Sequence, residues 1–350
     1  GQLIYNLRDR LLIRIADLYE IQLEDRESAI RTHRERLEHD PADLGALRAL
    51  ERLHEQAGAW QELIGVLQSH ETVAESEDDQ REICRRIGEI YERELRDTDN
   101  AIVAYNEVLS RFGPDDVTLV SLSRLYEATE KWDDLREALE MRQDLEHDER
   151  RRAELRFQIA ELMRTKTNSV EGAIEIYRDV LDVVPEHRGA IEALSAIAFT
   201  EGSHRVEAAR VLRPIFESSG DHEKLALALE AIGEGDDPVE RVEALRRAAE
   251  VVELAGEDLP RAFRLAGRAL LLGAGGDDVA VLVRELRRVA ELADDPRGHV
   301  EVLRTAAPDI MDGDVVVEVL MEIAIIARDR LEDPALAREY FEKALENQPE

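Results

Sequence analysis

Nine histidines, one cysteine and 79 carboxylates are the side chains here that could bind a metal or move a proton, and their spacing decides how much chemistry they can do. No His-Glu-x-x-His pair sets two imidazoles on one helix face. Cys84 has no histidine near it in sequence, so no zinc-site spacing is met. The stretch PDIMDGDVVVEVL, residues 308 to 320, resembles a calcium loop in outline. Placing Gly313 at the loop's sharp turn, however, puts Pro308 where the first ligand must stand, and proline has no side-chain oxygen. LLGAGGDD, residues 271 to 278, has the glycines of a phosphate loop without a preceding strand or a closing Lys-Ser/Thr. It reads as one helix stopping and an acidic helix start following. Cys84 falls one helical turn before Gly88, the setting of a buried, inert thiol. Carboxylates this abundant pair by chance everywhere, so no two stand out as acid and base, and no Gly-x-Ser-x-Gly turn occurs. The expectation is a chain with no catalytic residues, no metal and no cofactor.

Charge narrows the partners. With 79 acidic against 46 basic residues the formal charge is −33, a field that repels a nucleic-acid backbone or an anionic membrane. The expected partner is a protein or peptide, basic or charge-patterned, with self-association as a further outcome and no nucleic acid or direct membrane binding. The basic side is almost all arginine; the four lysines are Lys131, Lys166, Lys224 and Lys343, a bias read as coding preference. A single cysteine excludes an internal disulfide framework and suits a reducing, cytoplasmic setting. The longest apolar runs, at 315 to 317 and 323 to 326, are too short to span a bilayer. Because the numbering opens on Gly1 and the last residues complete a repeat, the chain reads as a segment of something longer.

The elements that must position any site come from self-similarity. RLHEQAGAWQEL at 52 to 63 returns as RLYEATEKWDDL at 124 to 135, with Trp60 and Trp132 in the same place. IADLYE at 15 to 20, IGEIYE at 87 to 92 and IAELMR at 159 to 164 share that 72-residue spacing. Each interval therefore holds two units of about 36 residues. Within a unit, Ile83, Ile87, Ile90 and Tyr91 fall on one helical face and Ile102, Tyr105, Val108 and Leu109 on another, which predicts paired helices. Polar turns such as EQAGA (55–59) and RDTDN (96–100) reverse the chain, and Pro41, Pro114, Pro185 and Pro349 close the pairs. The next copy of the Trp stretch is PIFESSGDHEKL at 214 to 225, with Phe216 in the place of His54 and Tyr126 and His222 in that of the tryptophan. That copy lies 90 residues on, so about 18 residues, one helix and a turn, are added near 188 to 205.

On these residues the chain resembles the tetratricopeptide repeat. The family pattern of a large residue, a small residue and Tyr on the first helix, then Ala, an aromatic and Pro on the second, is met by Ile87, Gly88, Tyr91, Ala101, Tyr105, Val108 and Pro114. It is met again by Ile159, Ala160, Met163, Ala173, Tyr177, Val180 and Pro185, by Ile15, Ala16, Tyr19, Ala29 and His33, and by Ile323, Ala324, Ala327, Ala337, Phe341, Ala344 and Pro349. The resemblance implies an all-α fold, a right-handed α-solenoid (superhelix) of antiparallel helix hairpins. Residues 1–187 are expected to be its regular part, and 188–350 a continuation with an extra helix near 188–205 and more divergent repeats. Trp60 and Trp132 are expected to open second helices and wedge between hairpins.

The resemblance also implies a binding face lined by the first helices. Carried onto this sequence, its groove positions are Arg48, Arg52 and Glu55; Glu82, Arg85 and Glu89; Val120, Arg124 and Glu127; and Phe157, Glu161 and Arg164. The family's clamp for a chaperone's C-terminal carboxylate is built from Lys and Asn, and neither type stands at these positions. The expected function is a non-catalytic scaffold that docks protein or peptide partners by several weak contacts. The other readings are a regulatory or targeting arm of a larger enzyme and a self-assembling structural repeat.

Overall fold

Hairpins form in this chain because the signal that stops one helix also starts the next. At the end of the first helix of the first, third and fifth repeat units the chain enters a left-handed residue, Glu24 (φ 52°), Arg96 (φ 53°) or Asn168 (φ 54°), and Glu332 (φ 54°) repeats this near the C-terminus. The following N–H then reaches six residues back, Asp25 to the Tyr19 carbonyl and Asp97 to that of Tyr91, both at 2.8 Å, with Ser169 to Met163 and Asp333 to Ala327 at 2.9 Å. Asp25, Asp97 and Asp333 next accept from the backbone N–H of Ser28, Asn100 and Leu336, which caps the second helix. Reversal takes three or four residues, so the neighbours are antiparallel.

The computed structural model describes residues 2–256 and 258–347, with the side chains of 2–6 and 9 left aside; Pro349, expected to close the last pair, lies outside them. Among the described residues every regular element is helical. The chain divides into two compact units, Gly1–Leu162 and Met163–Glu350. In the first, α1 (Gln2–Asp17) pairs with α2 (Arg26–His39), α3 (Leu44–Ala57) with α4 (Trp60–Val73), α5 (Glu77–Glu89) with α6 (Thr98–Phe112) and α7 (Asp116–Ala128) with α8 (Trp132–Leu145). Helix α9 (Glu149–Thr165) contains the division. The second unit holds α10 (Val170–Val183), α11 (Arg188–Ala198), α12 (Arg205–Ser219), α13 (His222–Ile232), α14 (Pro238–Ala255), α15 (Leu259–Gly273), α16 (Val279–Ala293), α17 (Pro296–Ala306), α18 (Gly313–Asp329) and α19 (Pro334–Asn347). From α1 to α8, and again from α10 to α19, each helix packs on the next. This is the all-α hairpin array of a solenoid.

The twin Trp stretches share one local structure. Gly58 (φ 64°) and Glu130 (φ 56°) both sit in the left-handed region, and the next N–H, of Ala59 or Lys131, donates to the carbonyl of His54 or Tyr126 at 2.9 Å. Trp60 and Trp132 are then the first residues of α4 and α8, each half-buried. His222 likewise opens α13, and Phe216 is buried in α12 as His54 and Tyr126 are in α3 and α7. The turns are tighter than their polarity suggests. Glu55 to Ala57 still belong to α3, and Thr98 to Asn100 already belong to α6, whose start the Asp97 carboxylate caps. The supposed calcium loop is also a capped start, Asp312 accepting from the N–H of Asp314 and Val315.

First helices bury two faces. On α5, Ile83, Ile87 and Ile90, the last in a short π-turn (Ile90–Glu94), pack with Leu63, Ile64 and Leu67 of α4, and Trp60 lies against the same cluster. The other face meets α6: a Cβ on Gly88 would stand 2.7 Å from the Tyr105 ring, so only glycine permits this approach. One face thus holds the hairpin together and the other holds it to the preceding hairpin.

Candidate functional site

The third face of the first helices carries the charged positions expected to bind, and in the first unit most are already engaged. Arg52 on α3 pairs with Glu20, in the π-turn (Leu18–Gln22) that ends α1, and Arg124 on α7 pairs with Glu92, in the π-turn that ends α5. Arg85 lies between Glu82, at 2.5 Å, and Glu89 on its own helix. Glu55 accepts from Arg86 at 3.0 Å, and Arg86 also reaches buried Glu51, which holds the His70 ring at 2.5 Å. Arg48 is exposed, with no ion pair to a described residue; Glu127 and Val120 are exposed as well. On α9, Phe157, Glu161 and Arg164 are half-buried, and the Arg164 Nε donates to the Tyr177 hydroxyl at 3.3 Å.

These pairs tie successive first helices side by side, α3 to α1, α5 to α3 and α7 to α5. Each is partly solvated and contributes roughly 0–1 kcal/mol. A partner meeting this face must compete with internal carboxylates for Arg52, Arg85 and Arg124. The sequence reading did not reach Glu20, Glu92, Glu51 or Arg86. The one available signal was that Glu20 and Arg52, like Glu92 and Arg124, stand 32 residues apart.

Cys84 is buried, and that burial together with the nearby Glu71 carboxylate pushes its thiol up to about 11, so the reactive thiolate is scarce at neutral pH.

The second unit presents open clefts. One, about 460 Å³, lies among α16, α17 and α18. Its floor is Ala290, Pro296, Ile326 and the exposed side chains of Met321 and Ile325. Across it Arg287 forks onto both oxygens of Glu322 at 2.7 Å and reaches Glu318 at 2.8 Å, which holds its proton above the ordinary arginine range. His299 is buried beneath, its Nε2 3.4 Å from Glu322; burial pushes its pKa below the ordinary value and favours the neutral ring. Four carboxylates (Glu291, Glu318, Glu322 and Asp329) line the cleft against two arginines (Arg287 and Arg330). A second cleft of about 440 Å³ runs between α10 and α12, floored by Ile174, Leu181, Val211 and Ile215 and edged by Glu171, Glu175 and Glu207. An apolar floor with a charged rim takes an aliphatic side chain and fixes it by its neighbours' charge.

The sequence rule does find this first cleft when carried further. Glu82, Arg85 and Glu89 stand five and two residues before and two after Ile87; the same offsets from Ile323 give Glu318, Met321 and Ile325, and all three line it. Among the described residues, no cluster of three or more His, Cys, Asp or Glu side chains could hold a metal ion, and no helix is long and apolar enough to cross a membrane.

Comparison with known proteins gives family models described as tetratricopeptide repeat over residues 46–81, 86–113 and 317–350. The chain carries tetratricopeptide repeats over these three stretches. The first two matched repeats fall on α3 to α6 and the third on α18 and α19, so each unit contains at least one tetratricopeptide repeat. No curated protein matches the chain. Among solved structures, Naa15/Naa10 bound to HypK-THB is 15% identical with a TM-score of 0.34, covering 98% of this chain, which spans 64% of that one. A tetratricopeptide repeat protein from Parabacteroides merdae ATCC 43184 is 14% identical with a TM-score of 0.32, over 80% of this chain and 98% of that one.

Proposed function

We propose that this chain is a non-catalytic scaffold that docks protein or peptide segments on the first-helix faces of its repeats. The observation that carries this reading is the α16–α18 cleft, where the groove offsets from Ile323 place Glu318, Met321 and Ile325 around an apolar floor. A preformed floor loses little entropy when occupied. One aliphatic side chain seated there contributes about 1.5–3 kcal/mol. A Lys or Arg beside it in the partner meets the excess of carboxylates on the rim. In the first unit Arg48 and Glu127 are exposed charges with no ion pair to a described residue, and they offer contacts of their own to a charged partner segment.

The test is capture of native-cell proteins, and of peptides pairing an aliphatic residue with Lys or Arg, on the full chain and on a Met321→Glu/Ile325→Glu variant. We expect about a tenfold or larger loss of retained partner for the variant. A second variant, Arg48→Glu/Arg52→Glu/Arg85→Glu/Arg124→Glu, reports on the first unit. Identical catches for all three proteins would remove the first-helix faces as the binding surface.

A further inference from the structure

The junction of α6 with α8 recurs at α10 and α12, but there it has lost its plug. In the first unit a cavity of only about 90 Å³ remains between Asn106 and Leu109 of α6 and Glu137, Ala138 and Met141 of α8. Tyr126 of α7 also lines it, buried, with the Asn106 amide donating to its hydroxyl at 3.0 Å. Seventy-two residues beyond Asn106 and Leu109 stand Arg178 and Leu181 of α10, and seventy-three beyond the three α8 residues stand Arg210, Val211 and Pro214 of α12. All five line the cleft of about 440 Å³. The helix between keeps the interval too: His187 accepts from the Ala190 N–H at 3.1 Å to cap α11, as Asp115 accepts from that of Thr118 at 2.9 Å to cap α7. In the place of Tyr126, however, α11 has Ala198, which has no ring to send across, and no residue of α11 lines the cleft. The 18 residues added here carry the ring away. Phe216, the counterpart of Tyr126 in the repeated stretch, lies on α12 and rests against Phe199, ring centroids 6.4 Å apart.

Charge selects what replaces the plug. Arg178, in the place of Asn106, is exposed and has no ion pair to a described residue. A guanidinium at the edge of an apolar floor attracts the face of an aromatic ring. Glu171, Glu175, Asp182 and Glu207 on the rim are also exposed without an ion pair to a described residue, whereas Arg210 is already held by Glu240. We propose that the α10–α12 cleft binds a segment of a partner protein that inserts one aromatic side chain flanked by Lys or Arg. The ring covers Ile174, Leu181, Val211 and Ile215 and lies against Arg178, and the flanking cations meet the four rim carboxylates. An aliphatic side chain would satisfy the floor but not Arg178. Helix α10 is the second of its pair, so this site is separate from the first-helix faces, and its failure leaves the reading of those faces untouched.

The probe is a labelled peptide with one tyrosine between two pairs of lysines, titrated with the full chain and followed by fluorescence anisotropy. Saturable binding is expected, weaker by about tenfold or more when alanine replaces the tyrosine, and weaker also when leucine does. The protein variant Glu171→Lys/Glu175→Lys/Glu207→Lys should lose about tenfold or more, and Ile215→Glu, which puts a charge on the floor, should weaken binding as well. The three rim changes are to exposed side chains, so unchanged thermal melts certify the fold. Hydrogen exchange should slow over residues 170–183 and 205–219 when the peptide is bound. Met321→Glu/Ile325→Glu should bind this peptide as wild type does, which separates the site from the α16–α18 cleft. The proposal is overturned by equal binding of the tyrosine and leucine peptides, by equal binding to wild type and the rim variant, or by no binding. Loss of binding in Met321→Glu/Ile325→Glu alone would also overturn it, by sending the peptide to the other cleft.

Discussion

His54 sits buried in α3 with neither ring nitrogen hydrogen-bonded, where Tyr126 and Phe216 occupy the matching places in α7 and α12. Burial holds its pKa below the ordinary histidine value; Arg34 acts in the same direction and Glu62 against it. The unfolded chain takes up a proton near pH 6.5 and the folded one only at lower pH, so the neutral ring's contribution is complete above about 6.5 and is lost as pH falls. His33 and His299 are shifted in the same direction, so acid between pH 7 and 5 should lower stability before the carboxylates titrate. We expect His54→Phe to stabilise the fold by about 1 kcal/mol at neutral pH, more at pH 5. Circular-dichroism melts across this range check it, and an unchanged slope would remove His54 as a source. That a buried imidazole would lack partners was not legible in the sequence, where His54 differs from Tyr126 only in residue type.

At the scale of the element, the reversal between first and second helices is the most repeated device in the molecule. A left-handed residue that is not glycine costs about 1–2 kcal/mol, at Glu24, Arg96, Asn168 and Glu332. The bond reaching six residues back offsets it at all four, and a carboxylate cap adds to this at Asp25, Asp97 and Asp333. Asp97→Ala removes the cap on α6 while leaving the turn, and should cost about 1 kcal/mol in urea unfolding. No loss would mean that packing of Ala101 and Tyr105 alone fixes where α6 begins. Helical periodicity and the breakers between helices are local, which is why the hairpins were readable from the chain. Turn widths were not, since polar residues occupy both a turn and the exposed first turn of a helix.

The whole molecule carries a formal charge of −33, and its surface ion pairs cannot balance it. Salt screens both the pairs and the long-range repulsion, but each exposed pair is worth little and the repulsion sums over the excess carboxylates. The melting temperature should therefore rise as sodium chloride increases from about 0.05 to about 0.5 M, the range over which the Debye length falls below the spacing of surface charges. A fall would show that pairs such as Arg52–Glu20 and Arg287–Glu322 outweigh the net charge.

By itself the sequence determined the helices and their pairing, because helical periodicity, turns and breakers act over a few residues. It could place Arg52, Arg85 and Arg124 on one face and Glu82 and Glu89 within a turn of Arg85, yet only the tertiary structure decided that Glu20 and Glu92 already hold Arg52 and Arg124. The same holds for the floor of Met321 and Ile325 and for the open cleft between α10 and α12. Whether an aliphatic side chain is core or surface depends on a neighbour in another helix, as Ile83 depends on Leu63, and helical spacing alone carries no record of which neighbour comes to lie beside it.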